Sequence, residues 1–180
     1  MWAATLGWGP VKTLVIGSGG REHALALALS RDPKVSEVHV APGNPGVEGF
    51  AFRHDIDQED GIAIAALAIA LAVDLVVIGP EAPLVEGAAD RVRLAGIACF
   101  GPGKEAAQLE GSKAFAKEVM AAANVPTAAA HVCTTEGEAR AALNEFGPPY
   151  VVKDDALAAG KGVVVTYAFE EALAHAVACE

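Results

Sequence analysis

The chain has 180 residues, enough to bury a real core in one large domain or one and a half small ones. Hydrophobic residues make up 53% and include much alanine, valine, leucine and isoleucine, the composition of α/β proteins with buried parallel strands. The 23 acidic residues outweigh 13 basic ones, for a formal net charge of -10, which disfavours a nucleic-acid partner because that binding rests on Lys and Arg neutralising phosphates. A small anionic ligand stays possible, since backbone N–H groups hold phosphate without net positive charge.

In chain order, Met1–Pro10 ("MWAATLGWGP") has neither the basic start nor the apolar core of a signal peptide and is expected to be a loose extension, residues 1–11. Thr13–Gly17 ("TLVIG") is a short apolar run opening onto glycines, so a buried strand. Arg21–Arg31 has helical spacing and stops near Asp32-Pro33. Glu37–Ala41 alternates as a strand and ends in the turn formers Pro42-Gly43-Asn44-Pro45-Gly46. Phe50–Ile56 is expected to hold a short strand and Gln58–Ala72 a helix. Overlapping that helix, Gly61–Val73 ("GIAIAALAIALAV") is uncharged but reaches only ~20 Å, short of a ~30 Å hydrocarbon layer. It is therefore expected to be a buried or mostly covered helix, although it lacks a polar face. Asp74–Ile78 is a second buried strand, Leu84–Ala95 a helix and Gly96–Phe100 a strand stopped by Gly101-Pro102. This alternation predicts an α/β fold with a doubly wound parallel sheet over residues 12–102.

From residue 103 the rhythm changes. Lys104–Leu109 and Ser112–Ala123 are predicted helices, with Ser112 placed to cap the second. Ala128–Cys133 is expected to be a strand and Glu136–Phe146 a helix. Tyr150–Lys153 and Val163–Thr166 are strands joined by a loop in β-loop-β fashion, and Phe169–Cys179 is a helix. Cys99, Cys133 and Cys179 are far apart, with no metal-binding spacing, and are expected to be free thiols of a cytoplasmic protein.

Three stretches carry chemistry. Gly17–His23 ("GSGGREH") joins a strand to a helix, a context in which N–H groups and the helix dipole face an anion. It departs from the dinucleotide fingerprint G-x-G-x-x-G, because Glu22 stands at the last glycine and no acid follows the second strand. A nicotinamide-dependent dehydrogenase is thereby disfavoured. Arg21 can pair with a phosphate and Glu22 can bind sugar hydroxyls, while His23 is expected to be a structural hydrogen bonder. Gly79–Leu84 ("GPEAPL") ends the second strong strand on the same sheet edge, and its prolines would hold the Glu81 carboxylate in place. Finally, in "YVVKDDALAAGKGVVVT" (Tyr150–Thr166), Lys161 is followed by Gly162 and then a strand, unlike a Walker-type loop, which needs Ser or Thr and a helix. The loop is predicted to be a flap between antiparallel strands, closing over a nucleotide's phosphates with Lys113, Lys153 and Lys161 around it.

The strings "LVIGSGGREHALA", "VAPGNPG", "DLVVIGPEAPLVEG", "FGP", "AAQLEGSKAFAKEVM", "VPTA" and "LAAGKGVVV" stand in an order and spacing that closely resembles the amino-terminal part of phosphoribosylamine–glycine ligases (glycinamide ribonucleotide synthetases), ATP-grasp enzymes of purine synthesis. The resemblance covers Lys12 to the end. It implies a pre-ATP-grasp domain over 12–102 and the first part of an ATP-grasp domain over 103–180. It also implies ATP-dependent ligation of glycine to 5-phosphoribosylamine through glycyl phosphate. By that resemblance Gly17, Ser18, Gly19, Gly20, Arg21, Glu22, Pro80 and Glu81 face 5-phosphoribosylamine. Lys113, Lys153, Ala159, Gly160, Lys161 and Gly162 face ATP. The family is expected to use Mg²⁺ or Mn²⁺, with ligands outside this chain, and to be monomeric, binding neither nucleic acid nor membrane. The chain departs from the family's K-A-D-G-L, reading Lys153-Asp154-Asp155-Ala156-Leu157, which puts an added acid beside the phosphate site. It is expected to be a truncated form, inactive alone. The alternatives are a non-catalytic phosphosugar- or nucleotide-binding module and one half of a split ligase.

Overall fold

The computed structural model describes residues 9–155, 157 and 162–179. It divides into two compact units, Met1–Ala107 and Gln108–Glu180.

The first unit is built on five parallel strands: β1 (Val11–Gly17), β2 (Val35–Pro42), β3 (Phe52–Arg53), β4 (Leu75–Ile78) and β5 (Ala98–Phe100), in the order β3-β2-β1-β4-β5. Alternation along β1 and β4 sorts the core into two layers. Leu14, Ile16, Val76 and Ile78 face α2 (Gly61–Ala70), α3 (Glu81–Val85), α4 (Ala88–Leu94) and Ala107 of α5 (Lys104–Gly111). Val15, Val38, Val40 and Val77 face α1 (Gly20–Ser30) and Val47. Strands covered on both faces are why these runs are apolar throughout instead of alternating with polar residues. The chain winds outward from β1 to β3, then returns to β4 on the other side. The ends of β1 and β4 therefore flank the topological switch point.

Two expectations for this unit need correction. The helix predicted over Leu84–Ala95 is two helices, α3 and α4, broken at Glu86-Gly87, where Gly87 takes φ +89°, a left-handed conformation that suits glycine. The apolar helix is covered on one flank only. Ile64 and Ala68 of α2 are fully buried, yet Ile62 and Ile69 are 69% and 60% exposed. Asp60 caps the helix by accepting from the N–H groups of Ile62 and Ala63, which fixes its start on a polar residue. Packing on the sheet and α4 uses one flank, and the outer flank stays open despite its composition. Among the described residues no helix is long and apolar enough to cross a membrane.

The second unit contains α6 (Lys113–Ala122), α7 (Glu136–Phe146), α8 (Phe169–Ala178) and an antiparallel hairpin of β6 (Tyr150–Lys153) and β7 (Val163–Thr166). Its core joins Ala139 and Leu143 of α7, Tyr150 of β6, and Ala172 and Leu173 of α8. Ala128–Cys133 is not a strand. Most of this segment is exposed, and no described strand pairs with it, so its extended residues have no ladder to join.

Candidate functional site

In the first unit, the carboxyl ends of β1 and β4 bring the two predicted loops together. Gly17 ends β1 at φ +128° and Gly79 follows β4, with the Gly79 N–H donating to the Ile16 carbonyl at 3.1 Å. Between them lies Glu22, on the first turn of α1 and 3% exposed. Its Oε2 accepts from the Gly19 N–H at 2.9 Å and its Oε1 from Arg21 Nε at 2.7 Å. Arg21 reaches across to the other loop, its Nη1 and Nη2 lying 2.8 and 3.5 Å from the Glu81 carboxylate. This cross-loop ion pair holds the Glu81 carboxylate. The Arg21 hydrogen bond, first of all, depresses the pKa of Glu81. Glu81, then Glu22, raises that of Arg21, keeping the guanidinium charged.

Ser18, Gly19 and Gly20 are exposed on the rim, and Pro80 packs beside Gly17. A third loop, which sequence reading treated only as a turn, closes this side. Asn44 Nδ2 donates to the Ser18 carbonyl at 3.1 Å, while its Oδ1 accepts from the Gly46 N–H at 3.0 Å and lies 3.3 Å from His23 Nδ1. His23 also meets Phe50 edge-on. It is engaged within the chain, as a structural hydrogen bonder would be. The signal for Asn44 was its amide, the one side chain in Pro42–Gly46 that both donates and accepts. Strand β2 ends on Ala41 and Pro42, so no acid stands where a dinucleotide's ribose would be gripped.

In the second unit, residues directly opposite across the hairpin share a face. Val151 pairs with Val165 and Lys153 with Val163, and all four are exposed, while Tyr150 and Val152 turn to the core. The result is an apolar platform carrying one lysine. The Asp154 N–H donates to the Gly162 carbonyl at 2.7 Å and closes the base of the loop. Asp155 reaches the start of α6, accepting from Ser112 Oγ at 2.9 Å and from the Ala114 N–H at 2.8 Å. Lys113, the first residue of α6, and Lys153 are thus tied to one loop base. Ser112 caps α6 as expected, accepting from the Phe115 N–H at 3.0 Å. Asp155 was missed as an anchor, because sequence weighed the acids here only for their charge. Ala156, Ala159, Gly160 and Lys161 lie outside the described residues.

The family models agree with this organisation. Residues 11–110 match the phosphoribosylglycinamide synthetase N domain, and 111–179 match the ATP-grasp (A) domain of the same family. The chain belongs to the phosphoribosylglycinamide synthetase family. It is 62% identical over 170 residues to phosphoribosylamine–glycine ligase of Streptomyces coelicolor, covering 94% of this chain and 41% of that protein. It is 58% identical to the Mycobacterium bovis enzyme of the same name, with 93% and 41% covered. The solved structure of phosphoribosylamine–glycine ligase from Thermotoga maritima superposes with a TM-score of 0.72 at 32% identity, covering 91% of this chain and 38% of that one. The chain thus spans about two-fifths of the length of these ligases.

Proposed function

We propose that this chain supplies the phosphoribosylamine-binding rim and the leading part of the ATP site of a phosphoribosylamine–glycine ligase. The observation that carries the reading is the Arg21–Glu81 contact, which joins two loops at the switch point of a parallel sheet. The rim offers the exposed residues Ser18 and Gly20 at the start of α1 and a guanidinium for a phosphorylated sugar, and a carboxylate for its hydroxyl or amine groups. Gly17, Ser18, Gly19, Gly20, Arg21, Pro80 and Glu81 make up this side, with the buried Glu22 behind them in place of the sugar contact expected of it.

For ATP, the valine platform suits a purine ring, with Lys153 beside it to meet negative charge. Lys113 and the loop Ala159–Gly162 complete the phosphate side. In the ligation, a glycine carboxylate oxygen attacks the γ-phosphorus and ADP leaves. The amine of 5-phosphoribosylamine then attacks the acyl carbon and expels phosphate. Both steps depend on holding reactants in register and excluding water from the acyl phosphate. Among the described residues no group of three or more His, Cys, Asp or Glu side chains could hold a metal ion. The contribution proposed for these residues is binding and orientation of the reactants.

Calorimetric titration of the chain with ribose 5-phosphate tests the rim, with NADH as the contrast. The expected result is saturable ribose 5-phosphate binding, lost in Arg21→Ala, and none for NADH. Phosphate release dependent on ATP, glycine and phosphoribosylamine, measured with and without the remaining segment of the Streptomyces enzyme, then tests ligation. Release only in the mixture supports this reading. Failure of the mixture, with each part folded, argues for a binding module.

A further inference from the structure

The glycines of the rim have an explanation other than close approach of a ligand. A Cβ on Gly79 would lie 2.2 Å from Glu22 Oε1, one on Gly17 2.4 Å from Glu22 Cγ, and one on Gly19 2.8 Å from Glu22 Oε2. Three glycines from two loops thus leave room for one buried carboxylate. That carboxylate spends both oxygens inside the chain, on the Gly19 N–H and on Arg21 Nε. A guanidinium has five N–H donors in a fixed plane, so holding Nε fixes where the terminal Nη edge points. Here that edge meets Glu81, whose side chain is 43% exposed against 5% for Glu22. One partner of Arg21 is walled in and the other sits where solvent and ligand reach it.

We propose that Glu22 is a positioning residue: it clamps the glycine loop and Arg21 Nε together so that the Nη edge of Arg21 is presented at the rim, with Glu81 as the resident acceptor that an incoming phosphorylated sugar displaces or shares. The sugar's identity rests on the function proposed above; the clamp rests on geometry alone. Glu22 thereby contributes to recognition through Arg21, without touching the ligand.

Glu22→Gln is the informative variant. It keeps the shape but offers one acceptor oxygen to two N–H donors, and sets an NH₂ group against the other. In ¹⁵N–¹H spectra of the intact chain, the Arg21 Nε–H resonance is expected to be protected from solvent exchange, to survive in Glu81→Gln and to lose protection in Glu22→Gln. Ribose 5-phosphate binding is expected to weaken at least tenfold in Glu22→Gln, with methyl resonances of Leu14 and Val15 reporting an intact core. Should that variant fail to fold, Arg21→Lys serves. It keeps the charge but has no Nε–H fork, and is also expected to lose tenfold or more, whereas a role in net charge alone would leave binding unchanged. A protected Nε–H in folded Glu22→Gln, or wild-type affinity in either variant, overturns the proposal. Absence of ribose 5-phosphate binding by the wild-type chain, with Nε–H protection still dependent on Glu22, overturns the sugar assignment and leaves the clamp standing.

Discussion

Arg21 stands between two carboxylates of very different exposure, and it sets the ionisation of the exposed one. Glu81 has its pKa lowered chiefly by the Arg21 hydrogen bond. A carboxylate with a depressed folded-state pKa adds stability above its unfolded value, about 4.3, and that contribution fades as pH falls through the lower folded value. We expect the Glu81 side-chain carbon to titrate with a midpoint below that of a free glutamate, and Arg21→Met to return the midpoint towards or above the ordinary range. An NMR titration that finds Glu81 unmoved by Arg21→Met would show that the ion pair does not persist in solution. Sequence had both residues as candidates for one site, because each follows a buried strand. It could not show that they touch.

At the scale of elements, helix α6 is pinned by two side chains at its start. Ser112 gives it an N-cap, and Asp155 satisfies a further free N–H, that of Ala114. Ser112→Ala is expected to cost about 1 kcal/mol, typical of a lost cap. The loss should speed amide exchange at Phe115 more than in α7. Equal Phe115 exchange in Ser112→Ala and in the unsubstituted chain would remove the cap from the account. The edge strand β3 has a different dependence. His39 Nδ1 lies 3.0 Å from His54 Nε2, while His39 Nε2 faces Glu37, which is itself paired to Lys12. Phe52 stacks on His39. Only one proton can lie between the two facing ring nitrogens, and burial, then His39, lowers the pKa of His54. As pH falls through about 6.5 the unfolded chain takes up the His54 proton more readily than the folded one, so stability declines. The His54 N–H, which donates to the Val40 carbonyl at 2.9 Å, should then lose exchange protection beyond the intrinsic pH effect. His54→Gln is expected to abolish that excess. Protection that follows intrinsic rates alone would refute the coupling.

At the scale of the whole molecule, stability in the first unit is divided by face. Ile64→Ala empties a fully buried position between helix and sheet and is expected to cost about 2–5 kcal/mol. Ile62→Lys, two residues away on the open flank, is expected to stay within about 0.5 kcal/mol. Urea unfolding followed at β1 resonances measures both, and equal costs would contradict the exposed flank. Neither value follows from the sequence, in which Ile62 and Ile64 sit in one unbroken apolar run.

That contrast marks the boundary between the two sources. Strands β1 and β4, the helices flanking the sheet and the β6–β7 hairpin were legible because apolar runs and glycine stops act locally, within a few residues. The order of chemistry-bearing strings was enough to indicate the family. The break between α3 and α4 was hidden because a helical apolar pattern continues across Gly87, and only its backbone conformation ends the helix. The strand expected over Ala128–Cys133 failed because strand propensity yields a strand only beside a partner. The sequence by itself determined the parallel sheet, the loops at its rim and the kinship with ligases, since these follow from short-range pattern. Tertiary structure alone decided that Glu22 is enclosed by three glycines while Glu81 stays open, and that α2 has an uncovered flank. Burial is a property of what packs from elsewhere in the chain, and no local spacing carries it.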